Sequence, residues 1–511
     1  MNVKYVILCQ FVCGGVWVYL ILCKNSLTYP MRFILIFILS VLLYCSCDRK
    51  PIQFASPDQN IQIAFSLDEK GVPTYQIIYK GDTLINPSRL GVKVQDNPMD
   101  SALQLISSEV VYNKKPFNFA LNEFYQEEDP YNEMVVKVKK NGQEMDIIFR
   151  AYNEGVAIRY WLRGYENIVI SGDMVEVRFR ENVKSFWAPE HTPHEKNSYY
   201  RSPLSTIQAA YRDARKEEYK YGAYPDSIYL ALPFLVDNGH GKYLNFQQVY
   251  NYDANAFAFR LNPVDYTVYS SVMKEGCAKQ VLTLPYYSQW IAIGISDSSE
   301  KLLESKMVYH LGIEEEVPDE PEKHPIRLFE NNCYNNVILP FSRHYEGIKE
   351  YPLINIEHGA HSTLMHQLAL HVVFNRPISV YNDYKGTVDD QKMAAYNFVR
   401  ELPSEWSEMN VVAGELGKYV VVARKDAHSD NWFVGGITDG SARELNISFD
   451  FLDKEKLYKG FFYEDTEDAD WLERPNNYKM EEVFVRKGNT FSFSMGYGGG
   501  FALILKEVKN P

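Results

Sequence analysis

The chain has 511 residues, 46% hydrophobic and 23% charged, a balance that excludes disorder and leaves room for two or three domains. Its net charge of -13, with no basic run to offset it, excludes nucleic acid as a partner and suits a neutral ligand such as a sugar. The 38 tyrosines and 28 phenylalanines, with 29 glycines and 24 prolines spread along the chain, favour strands and turns, so a mainly β fold is expected.

Residues 5–23, YVILCQFVCGGVWVYLILC, form a first apolar stretch of nearly membrane-spanning length. A second begins at Met31: Arg32 precedes an apolar run that ends in Ser46-Cys47, the pattern of a lipoprotein signal in which Cys47 carries the lipid. Tyr44 departs from the usual residue at that position, and a simple membrane anchor is the competing reading. Met31 supplies a complete basic-then-apolar signal, which makes it the expected start; a membrane hairpin is the alternative for the first thirty residues. Residues 1–47 are thus a leader, and the mature protein is expected on a bacterial cell envelope, lipid-anchored at the outer membrane or in the periplasm. Five of the seven cysteines fall in this leader, and Cys277 and Cys333 alone make neither a disulfide framework nor a zinc pattern.

Residues 48–312 read as alternating strands, among them IQIAFSL, TYQIIYKG and VKVKKNGQEMDIIFR, the last with Asn141-Gly142 between two alternating runs, a strong hairpin signal. SIYLALPFLV, KQVLTLPYY and WIAIGISD continue the series, and KLLESKMVYHLG closes it as a helix. One large β-sandwich is expected here. IEEEVPDEPEKHP then reads as an acidic, proline-bearing linker. In residues 313–416, HSTLMHQLALHVVF and QKMAAYNFVREL have helical spacing and RPISVYND is a short strand. Residues 417–511 return to strands (KYVVVARKD, NWFVGGITD, RELNISFDFL, YKGFFYEDT, TFSFSMGYGGGFALILKE), a small C-terminal β-sandwich.

Several of these stretches resemble one family in order. SPDQNIQIAFSLDEKGVPTYQIIYKGDTLINPSRLGV and NEGVAIRY are similar to the N-terminal domain of glycoside hydrolase family 97; ILPFSRHYEG, HSTLMHQLALHVVFNRPI, YVVVARKDAHSDNWFVGGITD and YGGGFALIL are similar to its last barrel elements and C-terminal domain. The resemblance implies an N-terminal β-super-sandwich, a central (β/α)8 barrel and a C-terminal antiparallel β-sandwich. It also implies hydrolysis of α-glucosidic or α-galactosidic bonds of oligosaccharides, with calcium in the site. Such a barrel takes about 250 residues, so the short central segment implies a barrel remnant and impaired catalysis.

Glycoside hydrolysis needs two carboxylates flanking the bond. Only one candidate emerges: Arg327 to Glu330 in IRLFENN reproduces the spacing of the family's general-acid segment, with Leu328 where that segment has glycine. The bland alternative for Glu330 is a solvated acid at a linker end. Glu314, Glu315 and Glu316 invite a calcium reading, but consecutive linker acids face water, so no calcium site is identified. Trp187, Tyr199 and Tyr200 are the candidates for stacking on a sugar ring, with core packing as the competing role. His191 and His194 flank Pro193, which opposes the helix that would align two metal ligands. Asp465, Glu467, Asp468 and Asp470 are read as a structural surface loop, and Gly498, Gly499 and Gly500 lack the residues of a phosphate loop. Three functions are left open: an active α-glycosidase whose site is assembled from what remains, with a second chain of an oligomer completing the barrel; a non-catalytic carbohydrate-binding lipoprotein or a decayed homologue with no function; or the product of an internal deletion from an otherwise active enzyme.

Overall fold

The computed structural model describes residues 7–13, 16–22, 51–114, 130–164, 167–189, 200–214, 228–249, 257–262, 264–272, 280–305, 307–313, 362–373, 397–403 and 406–509. The chain divides into Met1–Lys50 and Pro51–Pro511. In the first unit, Ile7–Cys13 and Val16–Leu22 form an antiparallel hairpin running from Ile7 opposite Leu22 to Cys13 opposite Val16. The apolar stretch is thus two short strands, and among the described residues no helix is long and apolar enough to cross a membrane. Cys47 lies outside the described residues.

The N-terminal part of the second unit is two antiparallel sheets packed face to face. One has ten strands, ordered Tyr200–Pro203, Lys184–Trp187, Phe234–Asp237, Tyr243–Val249, Trp290–Ser296, Gly155–Leu162, Gln143–Tyr152, Tyr131–Lys140 and Gln104–Lys114, with Tyr286–Tyr287 pairing beside Gly155–Leu162. The other has nine, with Asn167–Phe179 and Asp82–Val94 at its centre. Alternation sets the core: Ile61, Ile63 and Phe65 from one sheet meet Met145, Ile147 and Phe149 from the other. The Phe149 ring stands edge-on to Phe54 and Phe65 at 6.3 and 6.0 Å. Tyr160 ties the sheets together by donating to the Met174 carbonyl at 2.6 Å and accepting from the Gly91 N–H at 3.0 Å.

The hairpin expected at Asn141-Gly142 is present: Lys140 pairs with Gln143, and both turn residues have positive φ, 50° and 82°, as a type I′ turn requires. On the outer face of the ten-stranded sheet, helix α1 (Met307–Ile313) buries Met307, Val308 and Leu311 against Tyr131, Ile148, Tyr152, Trp290 and Ala292.

The C-terminal part is a six-stranded antiparallel sheet ordered Trp406–Glu415, Tyr419–Asp426, Trp432–Thr438, Gly500–Glu507, Tyr458–Asp465 and Tyr478–Val485, faced by the pair Arg443–Ser448 and Thr490–Met495. Phe449, Phe462, Phe493 and Phe501 fill the space between. The β structure begins at Trp406, ahead of the expected boundary at residue 417, because two register shifts in Trp406–Glu415 break the period-two pattern. The short strand expected in RPISVYND lies outside the described residues; of QKMAAYNFVREL, residues 397–401 are helical.

Helix α2 (Leu364–Val373) joins the two parts, and all ten of its residues are buried. Ala369, Leu370 and Val373 pack on Phe186, Ala188, Leu235, Leu302 and Leu303 of the N-terminal part and on Val420, Val422 and Ile437 of the C-terminal sheet. Leu364, Met365, Leu368 and Val372 pack on Phe433, Tyr463, Ala502 and Ile504. Arg424, itself buried, donates from Nε to the Val372 carbonyl at 2.7 Å and so satisfies a helix-end acceptor. The close seat depends on glycine: a Cβ on Gly435 would stand 2.6 Å from the Ala369 oxygen, and one on Gly500 2.8 Å from the His366 Cα. Gly435→Val is expected to lower the unfolding free energy by about 1–3 kcal/mol through this overpacking, measured by urea denaturation; an unchanged midpoint would show that the helix seat does not matter.

Candidate functional site

Trp187 is a core residue and not an open platform. It ends the strand Lys184–Trp187, is fully buried, and stacks with Tyr200 at 5.0 Å and Tyr211 at 6.3 Å, its Nε1 donating to Ser202 Oγ at 2.9 Å. Its burial leaves no ring face open to a sugar. Tyr200 is half-buried against the same cluster. Tyr199, His191, His194, Glu314, Glu315, Glu316 and Glu330 lie outside the described residues.

A group that the spacing of residues did not announce lies on the outer face of the ten-stranded sheet. Arg163 sits 3.7 Å over the Trp161 ring, Trp161 stacks on Tyr287 at 5.1 Å and 7°, and Arg159 lies 4.6 Å over Tyr287 and 4.3 Å over Trp290. Arg150 continues the series at 4.7 Å from both Trp290 and Tyr131. The two acids here are both held by cations: Asp146 accepts from Arg163 at 2.6 Å, and Glu133 from Arg150 at 2.8 Å and Lys114 at 2.6 Å. Lys114 and Arg150 draw the Glu133 carboxyl below its usual range against the opposing effect of burial. Trp290, Tyr131 and Arg150 are buried here, Arg159, Trp161, Arg163 and Tyr287 are half-buried, and both carboxylates are committed to ion pairs, so the group is a packed ladder of rings and cations. The signal was present in NEGVAIRYWLRG, where Arg159, Trp161 and Arg163 alternate with the core residues Ile158, Tyr160 and Leu162.

The acidic knot of the C-terminal part splits in two. Asp465 is fully buried; its Oδ2 accepts from Gly496 N at 3.0 Å, Gly500 N at 2.8 Å and Thr363 Oγ1 at 3.2 Å, fastening the glycine loop to the start of α2. Burial raises this carboxyl to about 7 despite those donors. Beside it His366 Nδ1 is 3.0 Å from the Gly499 oxygen; a carbonyl only accepts, so the ring hydrogen sits on Nδ1, and burial pushes the imidazole down to about 4. These groups hold structure together. Asp468 and Asp470, in contrast, are at the surface and organise their loop, Asp470 accepting from Leu472 N and Glu473 N at 2.9 and 2.6 Å.

That loop and Tyr497 enclose an open depression of about 360 Å³ lined by Trp471, Leu472, Arg474 and acids. Tyr497 is 58% exposed, so part of its ring is open to a ligand. Among the described residues no cluster of His, Cys, Asp or Glu could hold a metal ion.

Two antiparallel sandwiches clasping one apolar helix define a mainly β, multi-sandwich protein. The chain belongs to glycosyl-hydrolase family 97: the family's N-terminal domain matches residues 54–312, and its C-terminal domain, described as serving oligomerisation, matches residues 405–506. A retaining alpha-galactosidase of Bacteroides thetaiotaomicron is 28% identical over 253 residues, 47% of this chain and 36% of the relative. A probable retaining alpha-galactosidase of Streptomyces bingchenggensis is 30% identical over 115 residues, 22% of this chain and 16% of the relative. The matched chain thus spans well under half the length of either relative. In fold it is similar to a family 97 enzyme from Pseudoalteromonas sp. solved with acarbose, at a TM-score of 0.72 and 16% identity over 90% of this chain and 100% of that one. A beta-arabinopyranosidase is similar at a TM-score of 0.64 and 14% identity over 89% of this chain and 100% of that one.

Asp465 supplies a pH test of the C-terminal part. Its folded pKa, about 7, lies above the ordinary 3.8, so the folded state holds the proton more tightly. The stability this contributes is full below the unfolded pKa and is lost as pH rises towards 7. Asp465→Asn keeps a side-chain oxygen acceptor without the titration. The expected result is that the parent chain loses stability from pH 4 to pH 7 relative to the variant, on the order of a few kcal/mol, in urea denaturation at each pH. Parallel pH profiles would refute it.

Proposed function

We propose that this protein recognises α-linked oligosaccharides, α-galactosides or α-glucosides, as a family 97 glycosidase whose hydrolytic step is impaired. The observation that carries the reading is the spacing of the two family segments. Only residues 313–404 separate them, whereas a (β/α)8 barrel takes about 250 residues. Glu330, three residues after Arg327, remains the proposed general acid. Alone it would protonate a leaving oxygen that no carboxylate on the opposite face helps to displace, and loss of that partner costs orders of magnitude in rate. Calcium in the site belongs to the same proposal through the family; no residue is assigned to it, and no step is routed through the ion. Lipid attachment at Cys47, and with it placement on a bacterial envelope, belongs to the same proposal.

The expected outcome is no measurable release of aryl alcohol from aryl α-galactosides or α-glucosides by the purified chain, with or without added calcium. Turnover that disappears in Glu330→Gln would overturn the impairment.

A second reading, glycan binding without cleavage, is favoured by the depression beside Tyr497. A flat phenol ring bordered by carboxylate acceptors suits the apolar face and hydroxyl rim of a pyranose. Calorimetric titration with α-galacto- and malto-oligosaccharides is expected to show binding that Tyr497→Ala weakens about tenfold, the loss of one stacking contact. Binding unchanged by that substitution would place the glycan elsewhere.

A further inference from the structure

The strand Ile52–Ala55 pairs antiparallel with Ile61–Leu67, Ala55 opposite Gln62 and Ile52 opposite Phe65. The chain therefore enters the N-terminal sandwich at the end where Leu67 turns back to Pro73. That end is a cluster of turns. Ala102 N donates to the Lys70 carbonyl at 2.8 Å, Leu103 N to the Gly71 carbonyl at 3.0 Å, and Asn97 Nδ2 to the Lys140 carbonyl at 3.2 Å, beside the Asn141-Gly142 turn. Pro51, Lys70, Lys139, Asn141 and Gly142 are exposed there. The opposite end is built from residues 56–60, 79–82 and 153–154: Asp58 N donates to Asn153 Oδ1 at 3.0 Å and Lys80 N to the Asn60 carbonyl at 2.8 Å. The Glu154 carbonyl accepts from Ile295 N at this second end, and just beyond Ile295 the side chains of Glu300 and Glu304 meet Gly414 and Val411 of the C-terminal part. The ten residues Gln143–Tyr152, about 30 Å of strand, span from one end to the other.

We infer that the end bearing Lys70 and Asn141 faces the lipid surface, and that the N-terminal sandwich is a pedestal holding the C-terminal part away from it. The inference rests on lipid attachment at Cys47, proposed above. Four peptide steps separate Cys47 from Pro51, a reach of at most about 14 Å. The acyl chains bury in the hydrocarbon, so the backbone that carries them lies at the headgroups and Pro51 stays within that reach of them. Since the chain leaves the sandwich at the Lys70 end, so short a tether pulls along the strand axis and brings those turns nearest the lipid. The Asp82 end then stands about 20 Å farther out, the length of the strand Pro73–Tyr79. The contacts with the C-terminal part are at that outer end, which leaves the C-terminal part open to glycans arriving from solution. A sandwich lying on its side would instead bring both ends to the surface.

The test uses the full mature chain, purified with its lipid and reconstituted into phospholipid vesicles that carry a nitroxide quencher on the headgroup. With Cys277→Ser and Cys333→Ser as background, a fluorophore is attached at Lys70→Cys or at Asp82→Cys, both exposed positions. The expected result is strong quenching at Lys70→Cys and none at Asp82→Cys. Inserting about twenty Gly-Ser residues between Lys50 and Pro51, a span of roughly 25 Å, should lower the quenching at Lys70→Cys to the level at Asp82→Cys. Equal quenching at the two positions, stronger quenching at Asp82→Cys, or quenching that survives the insert would each overturn the orientation. A chain that stays in solution, with no lipid on its amino-terminal peptide by mass spectrometry, would instead remove the lipid attachment and the orientation with it.

Discussion

The structure of residues 51–511 depends on how closely one helix approaches a sheet. Helix α2 is buried on every side, with His366, Gln367 and His371 enclosed among its apolar residues, so it is stable only where the rest of the protein covers it. One flank takes Phe186, Leu235 and Leu302 from the N-terminal part; the other lies on strands whose side chains are reduced to hydrogen at Gly435 and Gly500. Had those positions carried side chains, the helix would stand farther from the sheet, and the contacts of Leu368 and Val372 with Phe433 and Ile504 would be lost. Asp465, Thr363 and His366 then lock the same junction through the glycine loop, with polar groups that burial makes costly to leave unpaired.

Much of this could be read from the sequence because it is periodic. The strands Ile61–Leu67 and Pro73–Tyr79 alternate cleanly, and the Asn141-Gly142 turn has a single economical backbone solution. Helix α2 was visible as HSTLMHQLALHVVF, though its role as the joint between two sandwiches was not, since apolar spacing says that a face is buried and not against what. Trp406–Glu415 escaped because bulges break its alternation. Asp465 was grouped with its surface neighbours because adjacent acids look alike in sequence. The strand direction sends Asp465 inward to two backbone N–H groups, whereas the loop that follows turns Asp468 and Asp470 outward.

Of the aromatic candidates, Trp187 takes the competing core role. A tryptophan in a β-rich protein is as well suited to a core as to a sugar, and Trp187 is buried with its ring stacked on Tyr200 and Tyr211. Tyr497, one of the exposed rings among the described residues, sits in a tyrosine-glycine run that reads as a turn. The cationic face built on Arg150, Arg159 and Arg163 required the partner strand Trp290–Ser296 and Tyr287 to be placed beside it, information that no local window contains.

The joint at α2 also bears on the order in which the protein folds. The described surfaces that seat the helix come from Phe186–Leu303 on one side and from Val420–Ile504 on the other, with Phe398 and Val399 closing over the second. Contacts so far apart in sequence repay the entropy of closing the intervening chain only once both sandwiches have formed. The helix, all ten residues of which are buried, is thus expected to seat last.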